Sequence, residues 1–255
     1  MITLPKTPSF RLDGHRALVT GAGRGIGLGA CAALADMGAH VTLVARTRDE
    51  IEAGATAIIA AGGDATAKVL DVLDLDAVAR FFDDQPAFDI LVNNAGTNRP
   101  KHFTQNTSDD YDAVLNLNVR SAYFVAQGAV KAMIREDIKG SLIHMSSQMG
   151  HVGGPNRTLY CASKWALEGM SKAIALDVAP LGIRSNTIAP TFIETPMTQP
   201  FLADPNFKAR VLANIKLGRV GTIEDVMGAI IYLASDASAL VTGTSLRVDG
   251  GWTAE

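Results

Sequence analysis

The sequence predicts one α/β domain, built as a doubly wound parallel sheet of seven strands with helices on both faces. Short segments rich in β-branched residues alternate with longer alanine-rich segments that have the period of a helix. The short segments are apolar throughout, which is typical of parallel strands covered on both faces. No long polar linker and no repeat of solenoid period divides the 255 residues. We therefore interpret residues 1–255 as a single domain.

Turn-forming residues bound the predicted strands, and a helical segment follows most of them. In chain order, the predicted strands are RALVT, HVTLVA, TAKVL, FDILVN, GSLIHMS, IRSNTIA and SLRVD. The predicted helices are GIGLGACAALADMG, RDEIEAGATAIIAAGG, DLDAVARFFDD, SDDYDAVLNLNVRSAYFVAQGAVKAMIRED, TLYCASKWALEGMSKAIALDVAPLG and TIEDVMGAIIYLASD. Residues 1–12 are expected to form a loose N-terminal tail. A less regular insertion at about residues 192–218 is expected to form a substrate lid.

Composition and charge argue against several classes of protein. The net charge is −3 and the isoelectric point is about 6.0. The sequence also contains no run of lysine or arginine of the kind that indicates nucleic-acid binding. No apolar run reaches the roughly 18 residues that a membrane span needs. Cys31 and Cys161 lie far apart, and the histidines lack ligand spacing, so we predict neither disulfides nor a metal site. The first nine residues lack the apolar core of a signal peptide, so a cytoplasmic location is expected.

A glycine-rich turn follows the first predicted strand and opens the first helix. In VTGAGRGIG, the residues Gly21, Gly25 and Gly27 permit a tight turn and a close approach of the backbone to a pyrophosphate. The helix that starts there offers unpaired N–H groups and a favourable dipole to an anion. The sequence therefore predicts dinucleotide binding, although glycines also cluster in turns that bind nothing.

A serine, a tyrosine and a lysine surround the loop after the fifth predicted strand. Tyr160 and Lys164 are four residues apart on a predicted helix and so share one face. A nearby ammonium favours the phenolate, and lowering the pKa of Tyr160 by ~2–3 units would need roughly 3–4 kcal/mol. The loop of glycines and Pro155 returns the chain to the strand end, so that Ser147 and Tyr160 could bind one substrate oxygen. The alternative is structural: Ser147 caps the strand, and Tyr160 and Lys164 form a helix surface.

The motifs together resemble the short-chain dehydrogenase/reductase family. The turn has the spacing T-G-x-x-x-G-x-G from Thr20 to Gly27, NNAG follows the fourth predicted strand, and VDGGW lies near the C-terminus. The resemblance covers nearly the whole chain and implies a Rossmann-type domain. It implies a catalytic tetrad of Asn118, Ser147, Tyr160 and Lys164. In that tetrad Tyr160 is the general acid/base, Ser147 orients the substrate oxygen, Lys164 holds the cofactor and Asn118 anchors a relay water.

The same resemblance implies which residues bind a nicotinamide cofactor. These residues are Gly21, Arg24, Gly25, Ile26, Gly27, Arg46, Asp71, Val72, Asn94, Ala95, Gly96, Tyr160, Lys164, Pro190, Ile193 and Thr195. The second predicted strand ends at Ala45 and Arg46, without the carboxylate that binds the ribose 2′-hydroxyl of NAD. Arg46 and Arg24 could clamp a 2′-phosphate, which favours NADP over NAD. Alternatively, Arg46 is a solvated residue before a helix and the enzyme accepts NAD.

The substrate is expected to be a small hydroxylated molecule. The candidate substrate residues are Arg99, Gln148, His151 and Arg157, which suit a hydroxylated or anionic substrate. The pattern NNAGxxR and the DGGW tail are similar to those of sugar-acid and polyol dehydrogenases, among them gluconate 5-dehydrogenases. A 3-oxoacyl-thioester (acyl-carrier-protein) reductase and a non-catalytic dinucleotide-binding sensor are the alternatives. Family resemblance also implies a homotetramer.

One position departs from the family pattern. Thr191 follows Pro190 where the family has a glycine. Because threonine does not readily adopt a positive φ, we expect the loop beside the nicotinamide site to run differently.

Overall fold

A computed structural model describes residues 2–254 and contains one sheet of seven parallel strands. The strands are β1 Arg16–Thr20, β2 His40–Ala45, β3 Asp64–Val69, β4 Ile90–Asn93, β5 Ser141–Met145, β6 Arg184–Pro190 and β7 Ser245–Val248. Their order across the sheet is β3-β2-β1-β4-β5-β6-β7. The order reverses between β1 and β4, which is the switch point where such sheets bind ligands. The predicted fold class is confirmed.

Nine α-helices are present in residues 2–254. They are α1 Gly25–Asp36, α2 Arg48–Ala60, α3 Leu75–Asp84, α4 Ser108–Leu115, α5 Ser121–Arg135, α6 Thr158–Val178, α7 Gln199–Leu202, α8 Pro205–Asn214 and α9 Ile223–Ala234. A π-helical turn, Asn116–Arg120, joins α4 to α5, so the long helix predicted there is continuous but locally widened. Such turns are rare and often lie at functional sites.

Two apolar layers cover the two faces of the sheet. Ala17 and Val19 of β1 point into the first layer, which includes buried residues of α1, α2 and α9. Leu18, between them in sequence, points into the second layer with α3 and α5. This alternation explains why Ala17, Leu18 and Val19 are apolar at successive positions, since each side chain enters one layer or the other. Burial of each large apolar side chain contributes about 1.5–3 kcal/mol.

The N-terminal tail is shorter than predicted. Residues 2–11 are exposed, but Leu12 is fully buried, and its N–H donates to the carbonyl oxygen of Met37 at 2.8 Å. Leu12 therefore belongs to the first apolar layer rather than to a tail. Met1, the first residue of that predicted tail, lies outside the described residues.

The predicted insertion contains two helices that the sequence pattern did not indicate. Both α7 and α8 lie within residues 192–218, and each has proline in its first turn. Proline suits that position because its missing N–H would have no helical partner there. No helix in residues 2–254 combines the length and apolarity that a membrane crossing requires.

Candidate active site

A cleft opens at the carboxyl ends of β1, β4, β5 and β6. It is lined by all sixteen predicted cofactor residues and by Ser147. Parallel strands that end together at a switch point bring residues from distant parts of the chain to one edge. The cleft therefore contains three of the four predicted catalytic residues, and Asn118 lies behind its wall.

The glycine turn has the geometry that an anion cradle needs. Gly21 and Gly25 adopt φ values of +63° and +57°, which side-chain-bearing residues rarely adopt. A Cβ atom on Gly27 would overlap the carbonyl oxygen of Gly21 and lie 2.6 Å from the side-chain nitrogen of Asn94. No side chain caps the N-terminus of α1, so its first N–H groups face the cleft. These features fit a pyrophosphate.

Asn94 and Thr20 fix this turn against the fourth strand. The hydroxyl of Thr20 accepts hydrogen bonds from the N–H groups of Asn94 and Ala95, at 3.0 and 3.1 Å. In return, the Asn94 amide donates to the carbonyl oxygens of Thr20 and Gly21, at 3.0 and 3.1 Å. The NNAG motif thus holds the cradle to β4.

Two arginines border the end of the cleft beside β2. Arg46 and Arg24 are both exposed, and no carboxylate stands at the end of β2. The Nη1 atom of Arg24 lies 3.4 Å from Oε1 of Glu50, an acidic residue of α2 that also lines the cleft. Glu50 lies in the first turn of α2 and is not among the predicted site residues.

Ser147, Tyr160 and Lys164 converge at the end of β5. The Ser147 hydroxyl donates to Oε1 of Gln148 at 2.8 Å, accepts from the N–H of Met149, and is hydrogen-bonded to the Tyr160 phenol. The Nζ atom of Lys164 lies 5.4 Å from the centre of the Tyr160 ring and donates to the carbonyl oxygen of Met145 at 2.7 Å. The loop therefore brings the serine to the tyrosine, as the spacing predicted.

The electrostatic effect expected for Tyr160 is wrong in sign. Burial raises the pKa of Tyr160 to about 12, and it outweighs the opposing effects of the Ser147 hydrogen bond and the Arg157 charge. Burial also lowers the pKa of Lys164 to about 8, against the attraction of Glu168. The phenol is therefore neutral at neutral pH, which suits it to donate a proton.

Asn118 is a buried residue of the π-helical turn. Its amide nitrogen donates to the carbonyl oxygen of Thr97 and the hydroxyl of Ser163, and its oxygen accepts from the N–H of Thr97 at 2.7 Å. These bonds use both polar atoms of the side chain. Asn118 thus joins the loop after β4 to α6, close behind the cleft.

A buried acid, Glu168, lies one helical turn beyond Lys164 and was missed in the sequence. Its carboxylate accepts from the hydroxyls of Thr187 on β6 and Ser245 on β7, at 2.8 and 3.1 Å. His151 Nε2 lies 3.3 Å from the same carboxylate, and Lys172 Nζ lies 4.0 Å from it. The spacing Tyr160, Lys164, Glu168 at four-residue intervals was the signal that could have found it.

We expect the charge of Glu168 to set the alkaline limit of activity. Glu168→Gln keeps an acceptor oxygen but removes the charge that stabilises the Lys164 ammonium. The pKa of Lys164 should fall further, so kcat/KM should decline at a pH lower by roughly half to one unit. The measurement is kcat/KM from neutral to alkaline pH. Asp177→Asn, on the exposed side of the same helix, is the control, and an unshifted decline in Glu168→Gln would refute this role.

The four predicted substrate residues do not lie together in one site. Arg99 binds Asp110 at 3.3 Å, and His151 contacts Ser245 at 2.8 Å as well as Glu168, so neither side chain lines the cleft. Their sequence positions near the motifs did not reveal these distant acidic and hydroxyl partners. Gln148 is buried against Ser147, and its amide nitrogen has no acceptor among the described residues. Arg157 is buried beside Tyr160.

The loop after β6 accommodates the threonine without a positive φ. Thr191 is absent from the positive-φ residues of the described chain, and its N–H donates to the carbonyl oxygen of Val248 at 3.1 Å. The loop then pairs Ile193 with Gly221 in a parallel bridge. The Thr191 hydroxyl reaches the cleft wall and has no partner within residues 2–254. Thr195, also at the cleft, hydrogen-bonds Thr198.

A glycine cradle at a sheet switch point, beside a converging serine, tyrosine and lysine, defines a dinucleotide-dependent oxidoreductase. The chain belongs to the short-chain dehydrogenase/reductase family, as the resemblance predicted. A family model described as enoyl-(acyl carrier protein) reductase matches residues 21–253.

Relatives cover the chain almost completely. D-erythrulose reductase of Gallus gallus is 35% identical over 96% of this chain and 98% of its own length. Gluconate 5-dehydrogenase of Gluconobacter oxydans is 36% identical over 96% of both chains. A crystal structure of a putative 2-deoxy-D-gluconate 3-dehydrogenase from Agrobacterium tumefaciens with bound NADP superimposes with a TM-score of 0.93. Its identity is 36%, covering 98% of this chain and 100% of that one.

Proposed function

We propose that this chain is an NADP-preferring oxidoreductase that interconverts a secondary alcohol and a ketone in a polyol, sugar or sugar acid. The observation that carries the proposal is the convergence of Ser147, Tyr160 and Lys164 on the cleft that the glycine cradle also lines. A serine with no histidine base beside it suits hydrogen bonding to a substrate oxygen rather than nucleophilic attack. The tyrosine then supplies the proton.

The cradle and the arginines support NADP as the cofactor. The Gly21, Gly25 and Gly27 turn and the uncapped N-terminus of α1 would hold the pyrophosphate. Arg24 and Arg46 would hold the 2′-phosphate, which guanidinium groups bind well. The bound nicotinamide ring supplies or accepts the hydride.

The chain's own residues handle the proton. In the reduction of a ketone, the neutral Tyr160 phenol donates its proton to the carbonyl oxygen, which becomes the alcohol hydroxyl. Ser147 holds that oxygen against Tyr160, with its own hydroxyl oriented by Gln148 and the N–H of Met149. The Lys164 ammonium lies close enough to stabilise the phenolate that remains, and Asn118 anchors the wall behind it.

The substrate assignment rests on the relatives and on the polarity of the site. The curated relatives include reductases of D-erythrulose and L-xylulose and a dehydrogenase of gluconate, all small polyhydroxylated compounds. We propose that residues 192–218 form a lid over that substrate. Its support is an aromatic cluster, in which the ring of Phe207 lies 5.6 Å from that of Phe192 and 6.2 Å from that of Phe201.

We further propose a cytoplasmic homotetramer. Tyr123 of α5 and Trp165 and Leu176 of α6 are large apolar or aromatic side chains that are 46–79% exposed. The two long helices could bury these residues against a second subunit. Both cysteines are free thiols, which is the usual state in a reducing compartment.

A substrate panel tests the proposed function. The purified protein is incubated with polyols, aldonates, ketoses and a 3-oxoacyl thioester, each with NADP(H) and with NAD(H), and nicotinamide absorbance is followed. We expect turnover of at least one polyhydroxylated compound, with a higher kcat/KM for the NADP couple. Turnover confined to the thioester would favour the acyl-carrier alternative, and no turnover with any compound would leave the sensor interpretation.

A further inference from the structure

The cations among the predicted substrate residues differ in whether a carboxylate neutralises them. Arg99 and Lys101 both bind Asp110, at 3.3 and 2.6 Å, and His151 lies beside Glu168. Arg157 has no carboxylate partner within residues 2–254. It lies three residues before Tyr160, at the start of α6.

Arg157 is nevertheless buried, with only 7% of its surface exposed. The one hydrogen bond that its guanidinium makes to the described chain is long, 3.4 Å from Nη1 to the carbonyl oxygen of Asn156. The guanidinium carbon lies 5.3 Å from the centre of the Phe201 ring on α7. It is also close enough to Tyr160 for the two charges to interact, and burial lowers its pKa.

An unpaired buried charge is costly, and proteins usually pair such charges or coordinate them. Stacking on Phe201 contacts the face of the guanidinium and leaves N–H donors at its edge. Those donors match the two oxygens of a carboxylate. Arg157 is not among the residues that line the cleft, but the neighbouring Tyr160 is, so a substrate held at Tyr160 would reach those donors by extending toward α7.

We propose that Arg157 binds the carboxylate of an anionic substrate, so that the substrate class is a sugar acid (an aldonate or its keto form) rather than a neutral polyol. This inference rests on the proposed function, since it places the substrate at Tyr160. Phe201 would hold the guanidinium plane, which makes α7 part of the specificity site. The relatives that reduce neutral sugars would then differ from this chain in the residues that bind the end of the substrate where a sugar acid has its carboxylate.

Binding can be measured without turnover. D-gluconate and D-glucitol have the same carbon chain and differ at C1, where one has a carboxylate and the other a hydroxymethyl group. Each is titrated calorimetrically into the protein with saturating NADPH, which cannot oxidise an alcohol. We expect gluconate to bind more tightly than glucitol. Arg157→Met should weaken gluconate binding by roughly 10- to 100-fold and leave glucitol binding unchanged.

Two further variants separate recognition of the carboxylate from a structural effect on α7. Arg157→Lys keeps the charge but not the paired donors, so it should weaken gluconate binding by an intermediate factor. Arg80→Met is the control, because exposed Arg80 lies on α3, outside both the cleft and the proposed lid. It should leave both affinities unchanged.

Either of two results would overturn the inference. One is wild-type binding of gluconate no tighter than of glucitol. The other is an equal loss of both ligands in Arg157→Met, which would make Arg157 a support for α7 only. In both cases, turnover of neutral polyols in the substrate panel would still support the proposed function. Conversely, a protein that binds gluconate through Arg157 but turns over no compound would contradict only the proposed function.

Discussion

Replacing Tyr160 with phenylalanine should reduce kcat by roughly 100- to 10,000-fold, which is the usual contribution of a positioned proton donor. Phenylalanine keeps the ring that packs beside the Lys164 ammonium, at 5.4 Å, and removes only the hydroxyl that bonds Ser147. Burial keeps that phenol protonated at neutral pH, and the variant has no proton to donate at this position. The loss should therefore appear in kcat.

Cofactor affinity distinguishes lost chemistry from a damaged fold. The Kd for NADPH, measured by fluorescence titration, should change much less than kcat in Tyr160→Phe, because the variant loses one hydroxyl while the other fifteen predicted cofactor residues, including the cradle and the arginines, are unchanged. Tyr123→Phe, on the exposed face of α5, is the matched control and should retain full activity. If Tyr160→Phe kept more than about a tenth of wild-type kcat, Tyr160 would not be the general acid.

The parts of the fold that could be predicted depend on local composition. The boundaries of β1 and β2 match the predicted segments residue for residue, because glycine-rich turns and polar residues bound short apolar runs. The glycine turn could also be predicted, because residues with a side chain rarely adopt the positive φ values that Gly21 and Gly25 have. Four-residue spacing on α6 placed Tyr160 and Lys164 on one face.

The parts that could not be predicted depend on contacts between distant residues. His151 bonds Ser245, 94 residues away, and turns from the substrate side, although its sequence position beside Ser147 suggested the opposite. Leu12 was assigned to a tail because nothing local shows that Met37 accepts its N–H. The burial of Glu168 depends on hydroxyls from β6 and β7 that meet only after the sheet forms.

The sign of the Tyr160 pKa shift shows a different limit. Sequence spacing predicts which charges are near a group, and a lysine at four residues suggests a stabilised phenolate. It does not predict how much water is removed, and here desolvation is the larger effect on both Tyr160 and Lys164. A pKa inferred from motif spacing alone therefore omits desolvation, which is the largest effect in this buried site.

An added methyl group in the cradle should displace the turn that faces the dinucleotide. In Gly27→Ala, the new Cβ would overlap the Gly21 carbonyl oxygen and crowd the Asn94 amide, so the backbone of the turn must move. The helix propensity of alanine contributes about 1 kcal/mol in its favour. Overpacking of this kind costs about 1–3 kcal/mol, so the free energy of unfolding should stay unchanged or fall by up to about 2 kcal/mol.

Dinucleotide binding should be affected more than stability in Gly27→Ala, because the displaced turn contains the groups that face the pyrophosphate. A loss of about 1–3 kcal/mol there corresponds to a Kd for NADPH that is roughly 5- to 150-fold higher. Gly228→Ala in α9 is the control, because open space surrounds its Cβ position. It should raise stability by about 0.5–1 kcal/mol and leave the Kd unchanged. Equal cofactor affinity in the two variants would show that the turn does not contact the dinucleotide, and the cleft would need a different ligand.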